Sequence, residues 1–326
     1  MIQALRPWVA VVSIPVFVAA CGGDSNPING NGTELEGGVT QEEADPDALP
    51  DIPENFAQNV ADASFDPGDP ADPTDDTLTV NISSLDSGEV DTTFVRQVDL
   101  DVPGFAAFSA QDDRLDRIFI ALAGESPDGT VRAVVAGDGG QFGRFFAGTD
   151  FEQVDDAEVP TTGLVSYAGN YAGVTNLNTI ENDIRITPDD DDARQANQPR
   201  LTQAEIFLNV DFADGALNGT MFNRQFTDGV ALPDVNLADG VIEDGGFTGT
   251  AEMFDDEGTP TGVGEFGGVF GGEGATSAAG AVVLTNIFGP DSDLSDDLDR
   301  ENGVFILPKC TGDPAEDPAS CNGANP

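Results

Sequence analysis

The sequence predicts an all-β protein: an eight-stranded antiparallel up-and-down β-barrel, preceded by a small antiparallel β region and a disordered acidic tether. Three observations carry this prediction. The 326 residues include 39 glycines and 21 prolines, an excess that divides a chain into many short elements joined by turns. Eight β-rich runs follow one another between Leu164 and Asn286, separated by Gly and Asp connections. Within them Ile206, Leu208, Val210 and Phe212 alternate with Phe207, Asn209 and Asp211, the two-residue period of a strand with one buried face. With 39% hydrophobic residues, the chain can build a core, and its length allows one large or two modest domains.

The first element is the run of residues 1–20. One charge, Arg6, precedes an apolar stretch from Trp8 to Ala20, too short to span a bilayer as a helix and of the length of a signal-peptide core. The competing reading, a buried N-terminal helix, fits poorly with the Gly22-Gly23-Asp24 that follows. Val18-Ala19-Ala20-Cys21 resembles the bacterial lipobox, in which the cysteine after a small-residue cleavage site is lipidated. That resemblance implies a mature chain that starts at an acylated Cys21 and is anchored to the bilayer without spanning it.

Residues 21–76 read as a disordered acidic linker. From residue 22 onward they hold seven prolines and no Lys or Arg, a composition that cannot bury enough apolar surface to offset the entropy of ordering. Residues 77–159 form a small β region with runs at Leu78 to Ile82, Thr92 to Val98, Arg117 to Ala123, Thr130 to Ala136 and Gln141 to Phe146. Ser126-Pro127-Asp128-Gly129 supplies hairpin-turn chemistry between two of them. Phe119, Phe145 and Phe146 are core candidates.

The barrel is expected over residues 160–288. Its eight runs are Leu164 to Val174, Asp183 to Thr187, Ala204 to Phe212, Ala216 to Asn223, Val235 to Glu243, Gly246 to Phe254, Gly262 to Gly271 and Ala278 to Asn286. Ala213-Asp214-Gly215 and Asp244-Gly245-Gly246 are tight hairpin connections. Closing eight such strands removes exposed sheet edges. Residues 289–326 read as an acidic tail with a disulfide loop.

Sixty Asp and Glu against 12 Lys and Arg give a formal charge of -48. Phosphate backbones are bound by basic residues that release counterions, so no nucleic acid partner is expected; such acidity suits a salty medium or steers a basic partner. The chain has no His, which removes Ser-His and Cys-His nucleophile pairs, His-ligated zinc and axial His haem ligation. Trp8, the one Trp, lies in the segment expected to be removed. No carboxylate pair stands out as catalytic, so neither enzymatic activity nor a cofactor is expected.

Three groups of residues are site candidates. Cys310 and Cys321, with ten residues between them, are the thiols left once Cys21 is acylated; in an oxidising compartment they are expected to pair, the alternative being a two-Cys metal site. Asp189, Asp190, Asp191 and Asp192 are candidates for a hard cation such as calcium, although their spacing is not that of an EF-hand and a solvated loop tip is the competing reading. The stretch Asp291 to Asp299 is read in the same way. Tyr167 and Tyr171, four apart in one run, share a face; an iron or haem ligand role competes with barrel packing.

Four segments, taken in order, resemble the strand signatures of one family. They are Tyr167-Ala168-Gly169-Asn170-Tyr171-Ala172-Gly173, then Val210-Asp211-Phe212-Ala213-Asp214-Gly215-Ala216-Leu217-Asn218-Gly219-Thr220, then Phe247-Thr248-Gly249-Thr250-Ala251, then Gly264-Glu265-Phe266-Gly267-Gly268-Val269-Phe270-Gly271 with Ala275 and Ala279-Gly280. The chain resembles here the C-terminal barrel of transferrin-binding protein B-like surface lipoproteins. The resemblance covers about residues 160 to 288, and the lipobox and acidic linker suit the family's outer-membrane lipoproteins. It implies a handle-like role for 77–159 and a length for one lobe where transferrin-capturing members have two. It also implies a non-catalytic surface lipoprotein of the outer membrane that binds a protein partner or solute, its ligand-binding residues unknown. The alternative is a calcium-stabilised structural or adhesive envelope protein.

Overall fold

A computed structural model describes residues 53–323, apart from 70, 73, 84–90, 112–116, 141–143, 155–156, 179–196, 244, 291, 293–298 and 314–316. A one-turn helix α1 (Glu54–Ala57) leads into seven strands: β1 (Val60–Asp66), β2 (Thr77–Ile82), β3 (Asp91–Arg96), β4 (Ala106–Ala110), β5 (Phe119–Glu125), β6 (Val131–Asp138) and β7 (Ala147–Gln153). They form one antiparallel meander in sequence order, curled until β1 lies beside β7.

Eight further strands follow: β8 (Leu164–Asn178), β9 (Pro199–Asp211), β10 (Ala216–Phe226), β11 (Val235–Glu243), β12 (Gly246–Phe254), β13 (Pro260–Gly271), β14 (Ser277–Thr285) and β15 (Arg300–Pro308). Each pairs antiparallel with the next, and β15 pairs with β8 to close an up-and-down barrel. A short helix α2 (Ala319–Gly323) ends the described chain.

The predicted fold class is the observed one, with its elements partly redistributed. The run Asp183 to Thr187 lies outside the described residues. The strand that completes the barrel is instead β15, inside the segment expected to be an acidic tail. Glu301, Gly303, Phe305 and Leu307 alternate there with Asn302, Val304 and Ile306, a strand pattern hidden when composition is averaged across 289–326. The linker ends earlier than expected, because Phe56, Val60 and Phe65 are buried and anchor α1 and β1. Two strands, β4 and β7, fall where no run was expected, while Phe145 and Phe146 precede β7.

Three apolar clusters organise the molecule. The barrel interior is filled by inward rows that include Leu208, Met221, Phe266 and Phe305. The curled sheet wraps its own core of Val60, Leu78, Val80, Phe108 and Val134. Between the two lies a shared wall: Val269, Ala279, Ala281, Val304 and Ile306 on the outside of the barrel meet Ile120, Leu122, Val135 and Phe151 of the sheet, with Phe56 inserted. Strands β6, β14 and β15 are therefore buried on both faces. Their sequences read as continuous apolar runs, not alternating ones. Gly148 is needed at this wall, since a Cβ there would overlap Ala57 O.

The β5–β6 turn adds a polar clasp. Gly129 takes the positive φ (+71°) and its N–H donates to Ser126 O at 2.9 Å, the hairpin chemistry read from the sequence. Asp128 at its tip accepts hydrogen bonds from Ser126 Oγ (2.6 Å) and Thr130 Oγ1 (2.9 Å) in the turn. It also accepts from Thr276 Oγ1 (2.6 Å) and Ser277 Oγ (3.0 Å) of the barrel. Burial pushes this carboxyl up, but the four hydroxyl donors outweigh it and hold it at about 2.

The Cys310–Cys321 disulfide is present in the structure. Cys310 N–H donates to Ser166 O at 2.8 Å, and Asp317 accepts the N–H groups of Thr311 and Gly312 at 2.7 Å each. Helix α2 packs against β8 and β9, whose outward residues Ala168 and Phe207 are buried.

Two outcomes are expected from these contacts. Because the folded Asp128 carboxyl lies below its ordinary value, the stability it contributes is present above about pH 4 and fades as the pH falls toward 2. Asp128→Ala should cost about 1 to 2 kcal/mol at neutral pH by urea unfolding and little at pH 2; an equal loss at both values would refute the clasp. Reduction of the disulfide should remove about 3 kcal/mol of loop-closure stabilisation at most and open Lys309 to trypsin while barrel strands keep their amide protection. Loss of protection throughout the barrel would show that the loop does more than pin the tail.

Candidate functional site

A barrel of eight strands can hold a small ligand or fill with its own side chains, so the interior decides which surface is available for function. Alternation along β8 sends Tyr167 and Tyr171 inward together, as their spacing predicts, and both are fully buried. Tyr167 joins an aromatic stack: its ring centroid lies 5.7 Å from Phe270, which lies 5.0 Å from Phe247 and 5.2 Å from Phe212. Its hydroxyl donates to Ala275 O at 2.7 Å. Burial makes both phenols much weaker acids than an ordinary tyrosine, so both remain protonated donors.

Tyr171 belongs to a buried polar network. Its hydroxyl and that of Thr202 on β9 both donate to Glu301 Oε1 at 2.8 Å, and Arg224 Nη2 on β10 reaches Glu301 Oε2 at 2.6 Å. Neither charged side chain has any exposure. Arg224 also donates through Nη1 to Pro233 O at 2.8 Å. Gly303 is required beside Glu301, because a Cβ there would collide with the Tyr171 ring. Phe226, Leu232 and Ile287 cluster next to this network, with the Arg200 guanidinium 3.6 Å above the Phe226 ring. The lumen is thus occupied by the protein's own side chains. The tyrosines pack and donate hydrogen bonds inward, the packing reading of the two considered.

Among the described residues, most of the basic side chains are engaged by carboxylates. Arg96 binds Asp76 and Asp101, Arg117 binds Asp138, Arg132 binds Glu125 and Glu152, Arg200 binds Asp228, and Arg224 binds Glu301. Lys309 Nζ donates to Gly274 O. These ion pairs engage five of the arginines among the described residues, in a chain where Asp and Glu outnumber Lys and Arg by 60 to 12. Phe254, 58% exposed, stands at the end of β12 beside Asp255, Asp256 and Glu257.

Of the residues singled out in the sequence, Cys310 and Cys321 are brought together by the fold. Cys21 and Asp189 to Asp192 lie outside the described residues. Among the described residues no group of three or more acidic or Cys side chains is arranged to hold a metal ion. Sequence reading missed Arg224, Thr202 and Glu301. Arg224 turns inward only because a bulge, with Asn223 at φ +53°, shifts the alternation of β10. Glu301 shares the phase of Phe305 and Leu307, a signal visible once 300–308 is read as a strand.

A scan against protein-family models matches none, and neither does a search of the curated proteins. Among solved structures, the chain is similar to a double mutant of transferrin-binding protein B, described as a vaccine antigen, from Haemophilus parasuis Hp5. Identity is 18% and the TM-score 0.38 over 67% of this chain and 39% of that one. It is likewise similar to an intact transferrin-binding protein B with N and C lobes (17%, TM-score 0.36, 68% and 40%) and to a single mutant from Haemophilus parasuis Hp5 (16%, TM-score 0.34, 72% and 50%). The chain spans between 39% and 50% of the length of these structures.

The buried network generates its own test. Glu301→Gln leaves the Arg224 charge without a counter-ion inside the barrel and should cost about 3 to 5 kcal/mol by denaturant unfolding, whereas replacing both, Arg224→Met with Glu301→Leu, should cost far less. A double variant as unstable as the single one would contradict this assignment.

Proposed function

We propose that this protein is a lipid-anchored, non-catalytic protein of the outer-membrane surface that binds a protein partner with a basic contacting face. The filled barrel carries this reading: with Tyr167, Phe247, Phe270, Arg224 and Glu301 occupying the interior, recognition falls to the outer surface. An anionic surface is supported by the formal charge of -48 and by the pairing of five arginines with carboxylates among the described residues. Fields of one sign steer oppositely charged partners and set the salt dependence of association. Support for the anchor comes from the sequence: Cys21 after Val18-Ala19-Ala20, and the Pro-rich acidic segment that follows it. Like charges and prolines in such a composition suit a spacer between the bilayer and the folded part.

Growth with labelled palmitate should tag the wild-type protein and leave Cys21→Ser untagged. Incorporation into neither, or into both equally, would remove the anchor from the proposal. A fragment from Pro53 onward, immobilised and exposed to surface extracts, should retain basic proteins at low ionic strength and release them as salt rises past about 0.3 M, where screening shortens to a few ångströms. Retention insensitive to salt would argue against an electrostatic surface.

A further inference from the structure

One small motif recurs among the described residues: a guanidinium lies over a Phe ring while a carboxylate holds it. Arg200 Cζ is 3.6 Å from the Phe226 ring centroid and its guanidinium binds Asp228. Arg117 Cζ is 4.8 Å from the Phe146 centroid and its guanidinium binds Asp138. Arg96 Cζ is 5.4 Å from the Phe108 centroid, with Asp76 and Asp101 as its partners. The negative face of the ring attracts the cation and the carboxylate fixes its direction. The β12–β13 hairpin presents the same ring and carboxylate without the cation. Phe254, 58% exposed, is the one exposed aromatic side chain among the described residues. It lies opposite Pro260, and Glu252, two positions earlier and so on the same face, lies opposite Gly262. A Cβ at Gly262 would meet only the Thr250 methyl, at 4.0 Å, so the flank of the ring is open. The turn beyond is fixed: Asp255 Oδ1 accepts the N–H groups of Glu257 (3.0 Å) and Thr259 (2.7 Å), and Gly258, at φ +80°, donates its N–H to Asp255 O at 3.0 Å.

We propose that Phe254 and Glu252 form the docking point for an arginine of the protein partner, its guanidinium stacked on the ring and held by the carboxylate. This rests on the reading of a partner with a basic contacting face, and it names the side chain that face presents. An exposed Phe is common by itself; its place beside a same-face carboxylate is what matches the internal motif. Among the described residues no guanidinium lies over Phe254 and no basic side chain pairs with Glu252. The exposed Asp256 and Glu257 at the tip add negative charge along the approach. Lysine suits the site less well, because its compact ammonium is strongly hydrated and cannot stack flat on a ring as a guanidinium does. A rigid aromatic with an ionic partner is also the composition of the residues that dominate binding energy at interfaces.

Surface plasmon resonance of the full-length protein over two immobilised peptides of equal length, alternating Gly with Arg and Gly with Lys, tests the docking point. At about 0.15 M salt the wild type should bind the Arg peptide more tightly than the Lys peptide. Phe254→Leu, which keeps an apolar side chain without a π face, should reduce that preference about two- to fivefold. Glu252→Gln should reduce it as well, whereas Glu243→Gln, at the opposite end of the barrel, should weaken both peptides alike and leave the preference intact. A wild type without preference, or a preference unchanged in Phe254→Leu or in Glu252→Gln, overturns the docking point and leaves an acidic binding surface standing. Binding of neither peptide at about 0.01 M salt, where screening is weak, overturns that surface and the docking point together.

Discussion

Val269, Ala279, Ala281, Val304 and Ile306 point outward from a closed barrel, where water would be expected, and meet instead Ile120, Leu122, Val135 and Phe151 of the curled sheet. Most other features follow from this wall. Strands β14 and β15 must be apolar on both faces, and small residues there let the sheet approach. The sheet has one face for its own core and one for the wall, so it buries both. Helix α1 is drawn in because Phe56 completes the contact, stacking edge-on to Phe151 at 6.4 Å. Removing area of this kind from water is worth about 25 cal/mol per Å2, and the Asp128 clasp at its margin contributes direction more than energy.

The same economy of space governs the barrel interior. Glu301 and Arg224 are tolerated without exposure because each is bonded by the other and by Tyr171, Thr202 or backbone carbonyls. A buried ion pair of this type contributes little net stability relative to an apolar pair, but it penalises any register that separates its members. Among the described residues, the interior polar groups are bonded to one another and five arginines are paired with carboxylates.

The legible parts of this chain were those whose pattern is local. Ile206 to Phe212 declare a half-buried strand by alternation alone, and Ser126 to Gly129 declare a turn by residue type. Strand β15 was obscured because Arg300, Glu301 and Asn302 continue an acidic stretch, and the apolar half of its pattern begins only at Val304. Strand β1 was obscured likewise: Val60 and Phe65 are its main apolar anchors, among acids and alanines, and their burial depends on partners distant in sequence. The polar core was less legible still. The inward turn of Arg224 depends on a bulge at Asn223.

Composition and period by themselves determined an all-β chain, an antiparallel barrel in its second half, a strongly anionic character and the absence of histidine chemistry. These are properties of residue type and of spacing within a few positions, which every copy of the chain carries before folding. Tertiary structure decided which strand closed the barrel, that its lumen is filled, that Arg224 meets Glu301 and that β1 lies against β7. Each of those depends on pairing residues from tens to more than a hundred positions apart, where the free energy of contact, and no local preference, selects the partner.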